Sequence, residues 1–253
     1  MNNIIVWLYP IINVLVTGLF AGVVLSQYAR RHKTYQLYWS IALTMAFIAT
    51  LSYVWMLATQ PTSTPGMLGF RLYYILGAAL TAPWLGLGSI ALVAKARTTR
   101  LCLLVLSALS VLAALLIGFS PLDMQQLSRI AGTPGANILL PPLGAWLFTI
   151  IVLNTLGLIA VVGVAIYSGW KLFLRQGTSS LLWANVLITA GACLNGLAGT
   201  TARLGVKNIF WLIMTLGWIV FFIGVLLASR PKSHRVPENK QAMQNRSANE
   251  AKI

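Results

Sequence analysis

The side chains of this chain that could do chemistry are few, and most sit inside or at the edge of apolar runs. Asn13, Asn154, Asn185 and Asn195 each bring amide donors and an acceptor into otherwise hydrophobic stretches. At lipid depth such amides hydrogen-bond a neighbouring helix or meet a ligand. Arg71 and Arg203 stand at the ends of two runs. A guanidinium fork suits carboxylate or phosphate bidentately, which a lysine would not reproduce. Either both arginines snorkel to headgroups, or Arg71 turns inward with Tyr74 and Tyr53 and forms with Arg203 the mouth of an anion-accepting pocket. Trp84 and Trp218 lie mid-run, too deep for interface anchors, and so fill the core or line a cavity.

What is missing excludes more. No Asp, Glu, Lys or His lies inside a run, and a proton relay or cation-coupled site is normally built on one. His32 and His234 both flank the runs, which excludes bis-His haem ligation between helices. Lys207 precedes the last run and is no deep Schiff-base lysine. Cys102 and Cys193 lack CxxC or His neighbours, so neither a structural disulfide nor a metal site is expected. Gly86-Leu-Gly88-Ser89 has the form of an intramembrane protease's serine loop, but no His or Lys could serve as its base. Its glycines read as close helix contact. A protein without enzymatic chemistry or cofactor is expected.

Hydrophobicity dictates the elements that hold these residues. The 253-residue chain is 58% hydrophobic and 8% charged, far outside the soluble norm. Between Arg71 and Lys95 run 23 uncharged residues. At about 1.5 Å per residue they cross a hydrocarbon core of about 30 Å as one helix. Lipid tolerates no unpaired backbone groups, so a helix is nearly forced. Seven such runs are expected, roughly 4–27, 37–58, 72–94, 101–119, 143–167, 181–202 and 209–229, none containing a charge. Of the eighteen Lys and Arg, fourteen fall on one side and four on the other. That bias puts the N-terminus outside and the C-terminus in the cytoplasm, in a bacterial-type inner membrane. The net charge of +15 is therefore read as topology signals facing anionic lipid, not as a nucleic-acid surface. Basic residues follow the first run at Arg30 and Arg31, as in a retained anchor.

Between the runs the loops are short, save one. There Ser120-Pro-Leu-Asp123 predicts a helix start, with Ser120 as cap and a short helix lying in the outer interface. Trp7, Tyr9, Tyr53, Trp55, Trp146 and Trp211 near outer ends are expected as interface anchors. Pro83 is expected to kink the third span and set Trp84 against the interior. Gly18-Leu-Phe-Ala-Gly22 is a GxxxG match; packing within the bundle is the favoured reading and a homodimer seam the alternative. Residues 1–229 form the transmembrane domain. Residues 230–253 read as a basic disordered tail whose Arg230, Lys232 and Arg235 meet anionic headgroups.

Asn13, Gly22 and Arg30 match Asn154, Gly163 and Lys171 at a constant offset of 141. After a three-residue shift Leu37, Trp39, Leu43 and Ala46 match Leu181, Trp183, Leu187 and Ala190. The pattern points to a 3+1+3 parallel repeat, with any shared cavity near Asn13 and Asn154. Seven spans in this arrangement are similar to the architecture of the transporter–opsin–receptor class of membrane proteins. The Pro-Gln signature of its sugar-transporting members is absent, as is the opsin lysine. More locally, RLYYILGAALTAPWLGLGSIAL at 71–92 resembles stretches in bacterial seven-helix membrane proteins of uncharacterised activity, and implies none. Two functions stay open. One is binding or facilitated movement of a small neutral, lipophilic or anionic molecule, at Arg71, Arg203, Tyr53, Tyr74, Trp84, Asn13, Asn154, Asn195 and Trp218. The other is an interaction or sensory module acting through helix packing and the tail. Reporter fusions at Ala136 and Ser247 should report opposite sides of the membrane; the same side for both would refute seven spans with this orientation.

Overall fold

The computed structural model describes residues 3–174, 179–204 and 209–229. The expected tail, with Arg230, Lys232 and Arg235, and the loop cations Arg175 and Lys207 lie outside the described residues. Seven long helices carry the fold: α1 Asn3–Arg31, α2 Thr34–Ala58, α3 Thr64–Val93, α4 Ala96–Phe119, α5 Ala145–Leu174, α6 Ser179–Arg203 and α7 Phe210–Ser229. All seven are long and apolar enough to span a membrane, and the chain is an integral membrane protein by this architecture.

Several helices outrun the uncharged limits, for local reasons. The last turn of α1 holds Arg30 and Arg31, cations that suit the negative end of a helix dipole. The start of α3 lies two turns before Arg71. Ser63 caps it by accepting from the Gly66 N–H at 3.1 Å, and Pro65 sits in the first turn.

Six helices close a ring in the order α1, α2, α3, α5, α6, α7 and back to α1; α4 lies outside it, against α3 and α5. The outer face of α4 shows Leu104, Val111 and Phe119 to the surroundings, as lipid requires. Glycines set the tightest crossings. A Cβ on Gly157 of α5 would lie 2.5 Å from the Ala82 carbonyl carbon and 2.7 Å from Pro83 N of α3, with Gly86 directly against Gly157. The α6–α7 pair meets the same way, Gly191 against the Phe221 backbone and Gly224 against Ile188. Gly88 lies against the Trp39 indole, which donates to the Leu85 carbonyl at 3.1 Å. Gly18 packs on Phe47 of α2 inside the bundle, while Gly22 and Gly163 have open space around them.

The irregularity in α3 comes ahead of Pro83, not at it. Tyr73–Leu80 form a π-helical segment, and the Thr81 N–H reaches back five residues to Leu76. A proline brings no N–H, and its ring crowds the preceding turn. The wider turn takes up that crowding before the proline arrives. Trp84 is half-buried, packing on Tyr38 of α2 and donating to Ser110 of α4 at 3.2 Å.

The long loop differs from expectation at its cap. Ser120 ends α4, and Asp123 caps the short helix Met124–Ser128 by accepting from the Gln125 and Gln126 N–H groups. The short helix is there, and Leu127, Ile130, Ile138 and Leu139 turn inward and are buried, so the loop is a packed cover over the helix ends. For the same reason Tyr53, Trp146 and Trp211 are core residues at 0%, 2% and 3% exposure, not anchors; Trp55 remains exposed. Gly157→Ala should lower bundle stability by about 1–3 kcal/mol through overpacking, and Gly163→Ala should not. Reversible unfolding of the two variants in mixed micelles checks this.

Candidate functional site

Polar side chains gather at two levels of the loop-face half. The upper level lies directly under residues 120–144. Tyr53 donates to the Thr133 carbonyl at 2.8 Å, with the Ile130 carbonyl 3.2 Å away, and Tyr73 donates to the Pro134 carbonyl at 3.3 Å. Their rings pack 5.1 Å apart, and Trp211 of α7 lies 4.5 Å from Tyr53. Tyr74 packs against Phe70 and Trp146.

The two arginines part company here. Arg71 gives its fork to the Ile117, Gly118 and Ser120 carbonyls, with the first at 2.6 Å and the last at 3.0 Å. These are the carbonyls that the end of α4 leaves without intrahelical donors, and a cation suits that terminus. Arg203, half-buried at the end of α6, faces the Tyr74 hydroxyl. Each arginine thus has its own surroundings, Arg71 the end of α4 and Arg203 the flank of Tyr74.

One turn deeper, α1, α2 and α7 share a polar seam. Asn13 Nδ2 donates to Thr215 Oγ1 at 3.3 Å, and Thr17 meets Thr50 at 3.2 Å. Thr215 spends its proton on the Trp211 carbonyl at 2.7 Å, so its oxygen can only accept from Asn13. That fixes the amide orientation and leaves Asn13 Oδ1 with no partner among the described residues, although Asn13 is wholly buried. Trp211 Nε1, four residues above Thr215, is also buried without an acceptor; the Tyr53 oxygen lies near it without closing a bond. The balance of energies is informative. An interhelical hydrogen bond in a membrane contributes about 0.6 kcal/mol, whereas a buried polar group left bare costs about 1–3 kcal/mol. Asn13 is a net cost unless something else reaches its carbonyl.

The other expected residues lie elsewhere. Asn154 of α5 donates to the Ala78 carbonyl of α3 at 2.6 Å. Ala78 lies in the π segment just ahead of Pro83, where the helical ladder is disturbed. Asn185 donates to its own helix at Leu181. Asn195 Oδ1 is pressed against Gly217 of α7 and has no partner among the described residues. Gly217 and Thr215 are two residues apart on a helix, so Asn195 meets the opposite face of α7 from Asn13. Trp218 is buried against Phe20 and Phe221, at 6.2 Å from each ring. Of the expected residues Tyr74 thus meets Arg203, while Asn13, Arg71, Asn154 and Asn195 each have separate partners or none.

Thr17, Thr50 and Thr215 complete the seam and were not singled out from sequence, and Trp211 was read there only as an interface anchor. Their spacing was readable: Thr17 follows Asn13 by four, Thr50 precedes Tyr53 by three and Thr215 follows Trp211 by four, one face each time. Comparison with protein-family models, curated proteins and solved structures finds no match for this chain. Arg71→Met should cost about 1.5–3 kcal/mol, because a charged donor to three carbonyls is lost, and Arg203→Met clearly less. Unfolding in mixed micelles measures both; equal losses would contradict these separate roles.

Proposed function

We propose that this integral membrane protein binds a small neutral molecule at the seam of α1, α2 and α7, without enzymatic chemistry. The observation that supports the reading is the pair of bare buried groups, Asn13 Oδ1 as acceptor and Trp211 Nε1 as donor. A hydroxyl or an amide complements one acceptor and one donor at once, because each can both give and accept a hydrogen bond. A carboxylate or phosphate only accepts, and would meet the amide oxygen with repulsion. The neutral, lipophilic branch of the sequence reading is therefore favoured over the anionic one. Arg71 is engaged with carbonyls, which takes away the fork the anionic branch relied on.

In this reading the halves α1–α3 and α5–α7 are related units, and the ring order supports it. Asn13 reaches from the first helix of one half to the last helix of the other, and Asn154 does the same in return. The second helices diverge, with Trp39 buried at 8% exposure and Trp183 open at 61%. The seam is thus specific to α1, α2 and α7. We take the membrane to be a bacterial plasma membrane, with the 120–144 loop outside.

The test is a series of medium-chain probes on the purified protein: a primary alcohol, the alkane of equal length and the matching carboxylate. The alcohol should raise Tm and the other two should not. Asn13→Leu should itself stabilise the apo protein by about 1–2 kcal/mol, the cost of the bare oxygen, and abolish the alcohol's effect. Equal stabilisation by alkane or carboxylate would refute the hydrogen-bonding seam.

A further inference from the structure

The seam lies between two aromatic layers. Above it, Tyr53, Tyr73 and Trp211 pack ring against ring under the loop. Below it, Phe20 of α1, two turns beyond Asn13, packs on Trp218 and Phe221 at 6.2 and 5.6 Å. The loop over the upper layer is tied along its length. Arg71 holds its start at the Ser120 carbonyl, Trp146 Nε1 donates to the Pro141 carbonyl at 3.0 Å near its end, and Tyr53 and Tyr73 hold its middle. It is also closed on itself, by Asp123 N to the Ile138 carbonyl at 2.8 Å and Leu140 N to the Pro121 carbonyl at 2.9 Å. Both ways along the bundle axis from water to Asn13 are therefore filled by packed side chains. A ligand reaching the buried Asn13 would therefore have to pass sideways between helices.

We propose that residues 120–144 are a fixed plug that shuts the seam off from water, and that its ligand arrives from the bilayer. The ligand class follows: a membrane-dissolved amphiphile with one hydroxyl or amide on an apolar body, not a water-soluble metabolite. This rests on the binding reading above for the ligand, but the barrier itself does not. Tyr53 is the joint between the two, since its hydroxyl holds the loop and its ring covers Trp211.

Cysteine accessibility tests it. Cys102 and Cys193 are replaced by serine, and Thr215→Cys is introduced, with Thr50→Cys as a second reporter should the first fail to fold. Protein in phosphatidylcholine vesicles is treated with neutral methyl methanethiosulfonate or its charged trimethylammonium-ethyl analogue. Gln125→Cys, exposed on the loop, calibrates both reagents. The neutral reagent should modify the seam cysteine and the charged one should not. Adding Tyr53→Phe and Tyr73→Phe, which removes two loop ties, should raise the charged reagent's rate about tenfold. Charged labelling of the intact-loop protein at the Gln125→Cys rate would overturn the proposal. So would failure of both reagents, or no change on loosening the loop. Bilayer-only labelling without alcohol stabilisation would support the barrier and overturn the binding reading alone.

Discussion

Bare carbonyls at lipid depth are the constraint on which this structure turns. Hydrocarbon supplies no donors, so every acceptor that leaves the helical ladder must be met by a side chain. Pro83 and the π segment disturb the ladder of α3, and Asn154 answers at Ala78. The end of α4 exposes three carbonyls, and Arg71 answers all of them. The irregular loop brings further acceptors close to the membrane, and Tyr53, Tyr73 and Trp146 answer those. Most of the polar groups that look functional in the sequence are therefore structural donors. Four buried polar atoms are exceptions among the described residues, Asn13 Oδ1, Gln36 Oε1, Asn195 Oδ1 and Trp211 Nε1, and of these Asn13 and Trp211 fall on the α1–α2–α7 seam.

The same constraint explains why the bundle is both tightly and unevenly packed. Glycine contacts at Gly86–Gly157, Gly191 and Gly224 bring backbones together where no polar group is needed. Around the α1–α2–α7 seam the packing is by side chains instead, aromatic above and below, hydroxyl and amide between. Trp84 and Met214 pack against both of the buried hydrophobic clusters of the bundle. The bundle is thus a packed frame with a polar layer enclosed in it.

The seven spans were legible because lipid leaves so few alternatives; a run of uncharged residues of that length has one regular conformation open to it. Which face each helix turns inward was not. Tyr53, Trp146 and Trp211 stand at the depth where rings collect at an interface, yet they are interior because a distant loop folds over them. No local pattern carries that fact. Pro83 announces a missing donor but not which carbonyl will be left waiting, since that depends on a register shift five residues upstream. Arg71 announces that it needs acceptors, but the end of α4 is 46 residues further along the chain. The Asn13–Thr17 and Trp211–Thr215 spacings were in plain view; the pairing of their helices was a tertiary event.

Asn13 and Thr215 are separated by 202 residues, and this has a bearing on how the protein is made. At translation rates of about 5–20 residues per second, Asn13 waits on the order of 10–40 s for its partner helix to emerge. Thr17 finds Thr50 within the first hairpin, so α1 and α2 can lock early. The amide of Asn13 cannot. Throughout that interval its side-chain amide has no Thr215 to meet. The contact of α7 with α1 that closes the ring therefore joins the first and last spans to be synthesised.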